Sequence, residues 1–179
     1  VADIQKYRPN YDKNTIINIL ICYTQGFLTV FSGEPGTGKT SICRILASVL
    51  GLTVPEKFIP RHKDGFVATR FIPVSVERGW TTKRDFIGYY NPLTKAFDRS
   101  NRKIFDALNI MNLEATGNST DMPFMILLDE ANLSPMEYYW ADYMNVCDDL
   151  DQNSNINLGG DYCFSVPSHL RFLATINND

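Results

Sequence analysis

An α/β fold built on a parallel sheet is what this sequence predicts, on three observations. Short apolar runs that read as strands alternate with stretches of helical spacing. A glycine-rich loop stands between one such strand and the helix after it, and another strand closes on two consecutive carboxylates. The 179 residues, 44% apolar and 21% charged, suffice for one domain spanning 1–179. A chain of this length buries roughly 70% of its unfolded surface and needs no disulfide or metal staple.

Residues 14–24 carry Ile16, Ile17, Ile19, Leu20, Ile21 and Tyr23, too dense for a surface stripe, and predict a buried helix. Residues 27–31 form a short aromatic and β-branched strand that stops at Ser32-Gly33. Beyond Thr40, Ile42, Ile45, Leu46 and Val49 recur at helical spacing, and Gly51 is placed to end that helix. Further strands are expected at 71–76, 124–128 and 171–175, which makes four. Helices are expected at 103–111 and 135–147, the second capped by Ser134 with Glu137 three residues on. Alternation on both sides of Gly159-Gly160-Asp161 predicts a β-hairpin inserted before the last strand.

The loop Gly33-Glu34-Pro35-Gly36-Thr37-Gly38-Lys39-Thr40 matches the P-loop pattern in full, in the context of strand, loop and helix that the pattern requires. Glycines let successive backbone N–H groups turn inward as an anion nest at a helix N-terminus. Lys39 would reach the β and γ phosphates and the Thr40 hydroxyl would ligate Mg²⁺, with Ser41 completing the nucleotide-binding stretch. Asp129 and Glu130 end a buried strand at the sheet edge where parallel sheets bind ligands. Asp129 is suited to hold the Mg²⁺ and Glu130 to polarise an attacking water as general base. Asn177, after the last strand, can orient the same water. Ser75, Glu77 and Asn132 stand near strand ends and could relay contacts to Glu130.

With these residues in place, the chain resembles the AAA+ ATPases, in the branch of MoxR-type, McrB and dynein-related modules. Gly33 to Thr40 is similar to Walker A, Ile126 to Glu130 to Walker B, and Asn177 to the sensor-1 polar residue. The run Asp85-Phe86-Ile87-Gly88-Tyr89-Tyr90-Asn91-Pro92 resembles the segment that faces the ring pore in that branch. The resemblance implies a P-loop NTPase three-layer sandwich with strand order 5-1-4-3-2, ATP and Mg²⁺ as cofactors, and a ring homo-oligomer, a hexamer, that remodels or translocates a macromolecule. The family's fifth strand, arginine finger and lid lie beyond sensor 1, and the expectation is that this chain is an incomplete core without them. In the McrB branch the sensor strand runs on as Met-Asn-Thr-Ala-Asp-Arg, whereas here it reads Ile176-Asn177-Asn178-Asp179. Two other readings stay open: a nucleotide-gated scaffold with little hydrolysis, and a GTP-using DNA translocase of a restriction or defence system.

The net charge of −3 gives no bulk sign of a nucleic-acid or membrane binder. By segment it is uneven: +2 over 1–55, +6 over 56–103 and −11 over 104–179. The basic segment holds Arg61, Lys63, Arg70, Arg78, Lys83, Arg84, Arg99, Arg102 and Lys103 among Trp80, Tyr89 and Tyr90, a composition that can grip nucleic acid by stacking and phosphate contact. The alternative is that these cations pair with the acidic residues after 104 on a neighbouring subunit. Cys22, Cys43, Cys147 and Cys163 show no metal spacing and read as buried reduced thiols. His62 and His169 have no ligand spacing to Cys, Asp or Glu. With no membrane-length apolar run and no signal-peptide core, the expectation is a soluble cytoplasmic protein without membrane contact.

Overall fold

The computed structural model describes residues 1–58, 66–117, 122–148 and 155–178. Helices α1 (Ala2–Tyr7) and α2 (Lys13–Gln25) lead into β1 (Leu28–Gly33), the phosphate-type loop and α3 (Lys39–Val49). A ribbon of β2 (Glu56–Phe58) and β3 (Phe66–Ala68) precedes β4 (Phe71–Ser75). The short α4 (Lys83–Phe86), the ribbon β5 (Tyr89–Asn91) and β6 (Ala96–Asp98), and α5 (Arg102–Ala115) connect it to β7 (Phe124–Asp129). After a 3-10 turn at Ala131–Leu133 come α6 (Met136–Tyr139), α7 (Ala141–Asp148), the antiparallel pair β8 (Asn155–Asn157) and β9 (Cys163–Ser165), and β10 (Leu170–Asn177).

The four longer strands form one parallel sheet in the order β1-β10-β7-β4. Strand β7 reads Phe-Met-Ile-Leu-Leu without a break because both of its faces are covered. Its period of two divides the core. Met125 and Leu127 join Ile4, Ile16, Ile42 and Leu46 of α1 to α3 on one side, while Phe124, Ile126 and Leu128 join Ile104, Leu108, Met111 and Tyr143 on the other. Phe172 and Leu173 of β10 part in the same way. Because the strands are parallel, their C-terminal ends share one edge, with Gly33 level with Asn177 and Ser75 level with Asp129.

Several expectations need correction. Helix α2 is a surface helix: only Ile16 and Tyr23 are buried and Ile21 is 45% exposed, because it packs along one face against α1 and β1. The helix expected at 135–147 is broken at Trp140, whose backbone leaves helical angles. The break seats Trp140 edge-on to Phe172 at 5.1 Å while Tyr139 packs edge-on to Trp80 at 5.2 Å. Ser134 does not cap that helix; its hydroxyl donates to the Glu77 carbonyl at 2.7 Å and accepts from the Trp80 N–H at 3.0 Å. Ribbons β2/β3 and β5/β6 carry too few residues to announce themselves as strands.

The cysteines are free thiols, but only Cys43 is buried. Burial, aided by the nearby Asp129 carboxylate, pushes its thiol up to about 12, so it is an inert core residue. Among the described residues no helix is long and apolar enough to cross a membrane.

Candidate functional site

Three chain segments meet at the C-terminal edge of the sheet. In the first, β1 ends at Gly33 and the chain turns through Gly36 and Gly38, whose φ angles of 78° and 87° lie in the left-handed region. A side chain at Gly36 would meet nothing within 4 Å, so glycine is required there by backbone conformation and not by space. Thr37 tightens the loop by donating its hydroxyl to the Glu34 carbonyl at 2.9 Å. Glu34, Pro35 and Gly36 are exposed, and Ser41 is partly buried in the first turn of α3. That helix opens at Gly38 with no side-chain cap, leaving its first N–H groups and its positive dipole end at the loop. Lys39 bends back over the loop, and its ammonium donates to the carbonyls of Gly33 and Glu34, each at 2.8 Å.

The second segment is the end of β7. The Asp129 carboxylate accepts the Thr40 hydroxyl at 2.7 Å, which joins the glycine loop to the acidic strand end across 89 positions of sequence. The same oxygen accepts the Thr175 hydroxyl at 2.7 Å. Glu130, next in the chain, has φ 58° and ψ 45°, one of two non-glycine residues with positive φ among those described. A conformation of this kind costs of order 1 kcal/mol and persists where neighbours over-determine it. Here the Glu130 N–H is tied to the Thr175 hydroxyl at 2.9 Å and its carbonyl accepts from Leu133 at 3.0 Å, while its side chain faces solvent.

The third segment is the end of β10. Thr175 is 2% exposed and uses its one hydroxyl both ways, donating to Asp129 and accepting from Glu130. Asn177 pairs through its backbone with the Asn132 amide, at 3.2 Å and 3.4 Å, and its side chain, at the partly exposed strand end, has no hydrogen-bond partner among the described residues. Asn178 anchors the loop entrance: its N–H donates to the Gly33 carbonyl at 3.3 Å and its side chain accepts the Ser32 hydroxyl. Asn132 thus contacts Asn177 rather than Glu130, and the Glu77 carbonyl is engaged by Ser134.

Thr40 and Asp129 offer two hard oxygen donors side by side, a donor set that fits Mg²⁺ and not a soft metal. No group of three or more His, Cys, Asp or Glu stands together as a metal site among the described residues. Thr175 and Asn178 were missed by sequence reasoning. Their signal was slight: one hydroxyl inside an apolar strand, and a second amide after the first.

Among the described residues of the basic segment, several cations are engaged within the chain. Arg70 is 2% exposed and ion-paired to Glu56 and Glu114, with its Nε 3.0 Å from Glu56, so it is unavailable to nucleic acid. Lys83 bonds Asp142 at 3.1 Å, and the guanidinium of Arg84 stacks on Tyr89. Acidic residues after 104 therefore pair with basic ones inside the same chain. His169, without ligand spacing in the sequence, has its Nε2 3.7 Å from Glu114, 55 positions away. Arg61, His62, Lys63 and Asp179 lie outside the described residues, as does the side chain of Arg102.

No protein-family model and no curated protein matches the chain. Among solved structures it is similar to a candidate ATPase from Cytophaga hutchinsonii, at 20% identity and a TM-score of 0.48. The match covers 97% of this chain and 38% of that one, and a likeness this slight carries no argument about activity.

Proposed function

We propose that this chain binds ATP with Mg²⁺ and hydrolyses it, as the nucleotide-binding core of an AAA+ motor that acts on a macromolecule as a ring homo-oligomer. The observation that carries the nucleotide reading is the 2.7 Å contact of Thr40 with Asp129, where the glycine loop and the acidic strand end meet at one point. The sheet order β1-β10-β7-β4 corresponds to the 1-4-3-2 part of the AAA+ order and supports that branch of the P-loop proteins. Ring assembly and the macromolecular substrate come from the motif resemblance alone.

In this reading the uncapped N–H groups of α3 and the Lys39 ammonium bind the phosphates, Lys39 exchanging its two carbonyl partners for phosphate oxygens. Thr40 and Asp129 would hold Mg²⁺, which would supply charge neutralisation at the bound phosphates. Glu130 takes a proton from the water that attacks the γ phosphorus as the bond to the β-phosphate oxygen breaks, and the Asn177 amide orients that water. Thr175 holds the Asp129 carboxylate and the Glu130 backbone in fixed relation.

The test is Lys39→Ala. Calorimetric titration with MgATP, alongside MgGTP to read base preference, should show binding in the natural chain and none in the variant. Unchanged affinity in Lys39→Ala would overturn the reading.

A further inference from the structure

We infer that Arg8, outside every motif of the site, is a second phosphate-binding cation that contacts the α and β phosphates shared by ADP and ATP; this rests on the nucleotide reading above. Arg8 follows α1, whose Ile4 is 1% exposed and shares a core cluster with Ile42, Cys43 and Leu46 of α3. Its backbone is fixed at both ends, the N–H donating to Ile4 at 2.9 Å and the carbonyl accepting from Tyr11 at 3.1 Å. From there the guanidinium lies across Gly38: a Cβ at that glycine would stand 2.8 Å from one Nη and 3.2 Å from the other and from Cζ. The absence of a side chain at Gly38 is what lets a cation come this close to the first turn of α3.

Among the described residues the Arg8 side chain makes no hydrogen bond and no ion pair. Other cations of the chain are matched, Arg70 to Glu56 and Glu114 and Lys83 to Asp142. Here three features of one sign converge instead: the uncapped N-terminus of α3, the Lys39 ammonium and the Arg8 guanidinium. Their mutual repulsion is relieved by a polyanion, and guanidinium geometry suits two phosphate oxygens at once. The γ-phosphate end must lie toward Asp129 and Glu130. Arg8 enters from α1, packed on α3, and meets Gly38 rather than Thr40, which places it on the part of the nucleotide that ADP retains.

Titration of the natural chain, Arg8→Ala, Arg8→Lys and Lys39→Ala with MgADP and MgATP tests this, together with melting of each without nucleotide. Arg8→Ala should weaken both nucleotides by a similar factor, about tenfold to a hundredfold, with partial recovery in Arg8→Lys. Its unliganded melting temperature should equal or exceed that of the natural chain, because a repelled charge has gone. Natural affinity in Arg8→Ala, with binding lost in Lys39→Ala, overturns the Arg8 contact and leaves the nucleotide reading intact. A loss confined to ATP overturns the assigned phosphates, and a loss matched by a lower unliganded melting temperature reduces Arg8 to a support of α1. Natural affinity in both Arg8→Ala and Lys39→Ala defeats the nucleotide reading itself.

Discussion

The two ends of the parallel sheet carry similar side chains and treat them in opposite ways. At the N-terminal end, Arg70 before β4 is enclosed by Glu56, Glu114 and the Met122 carbonyl, with His169 beside Glu114 at the start of β10. At the C-terminal end, Arg8 has no side-chain partner among the described residues, α3 opens without a side-chain cap, and Glu130 presents its carboxylate to solvent from a left-handed backbone. Charge saturated with partners holds structure. Charge left unsaturated, with backbone strain beside it, is available to a ligand, and a protein stabilised everywhere else can keep it so.

Substitutions should therefore separate stability from activity along the sheet axis. The largest effect is expected from Arg70→Met, which leaves the buried Glu114 carboxylate without its cation and should cost about 3 kcal/mol or more, read as a lower midpoint in denaturant titration. An unchanged midpoint would erase the contrast between the ends. Next is Glu130→Gln, expected to retain MgATP binding while phosphate release falls by on the order of a hundredfold or more, with little change in melting. Unchanged turnover would remove Glu130 from its role and favour a nucleotide-gated scaffold.

Thr175→Val should act on both properties, since it removes a buried hydroxyl that serves Asp129 and Glu130 together. A loss of about 1–2 kcal/mol in stability and a weaker Mg²⁺ dependence of turnover are expected, with Thr175→Ser restoring most of each. If Mg²⁺ dependence is unmoved, Thr175 supports the fold only. A smaller effect is expected from pH. Burial would raise the Glu114 carboxyl, but the hydrogen-bonded Arg70 guanidinium, with the His169 imidazole nearby, outweighs it and holds the group below its ordinary 4.5. Its contribution is then fully present above that value and is lost as pH falls through the lower folded one, so Glu114→Gln should flatten the melting curve's acid limb. Smallest in stability is Glu130→Gly, which relieves a positive φ and should raise stability by up to about 1 kcal/mol, with turnover lost as in Glu130→Gln.

Much of the sheet was legible because its strands are apolar on both faces and bounded by punctuation, as at Phe124 to Asp129. The glycine loop was legible because Gly36 and Gly38 occupy backbone angles that few other residues accept. Arg70 was not: in the sequence it is one more cation in a basic segment, and only the approach of Glu56 from one side and Glu114 from 44 positions away makes it a structural ion. The ribbon β5/β6 was equally silent, since its hold depends on Gly88 lying against Asp98 and on Tyr90 covering the Gly159-Gly160 turn.

The sequence by itself determined the α/β class, the order of the four long strands along the chain and which residues form the glycine loop and the acidic strand end, because those features are local: periodicity, punctuation and permitted φ. Tertiary structure alone decided that Thr40 and Thr175 converge on one Asp129 oxygen, that Arg70 is buried, and that Arg8 lies across Gly38. The Arg8–Gly38, Thr175–Asp129 and Thr40–Asp129 contacts join residues 30, 46 and 89 positions apart, and their partners are chosen by how helices and strands pack, which no local pattern encodes.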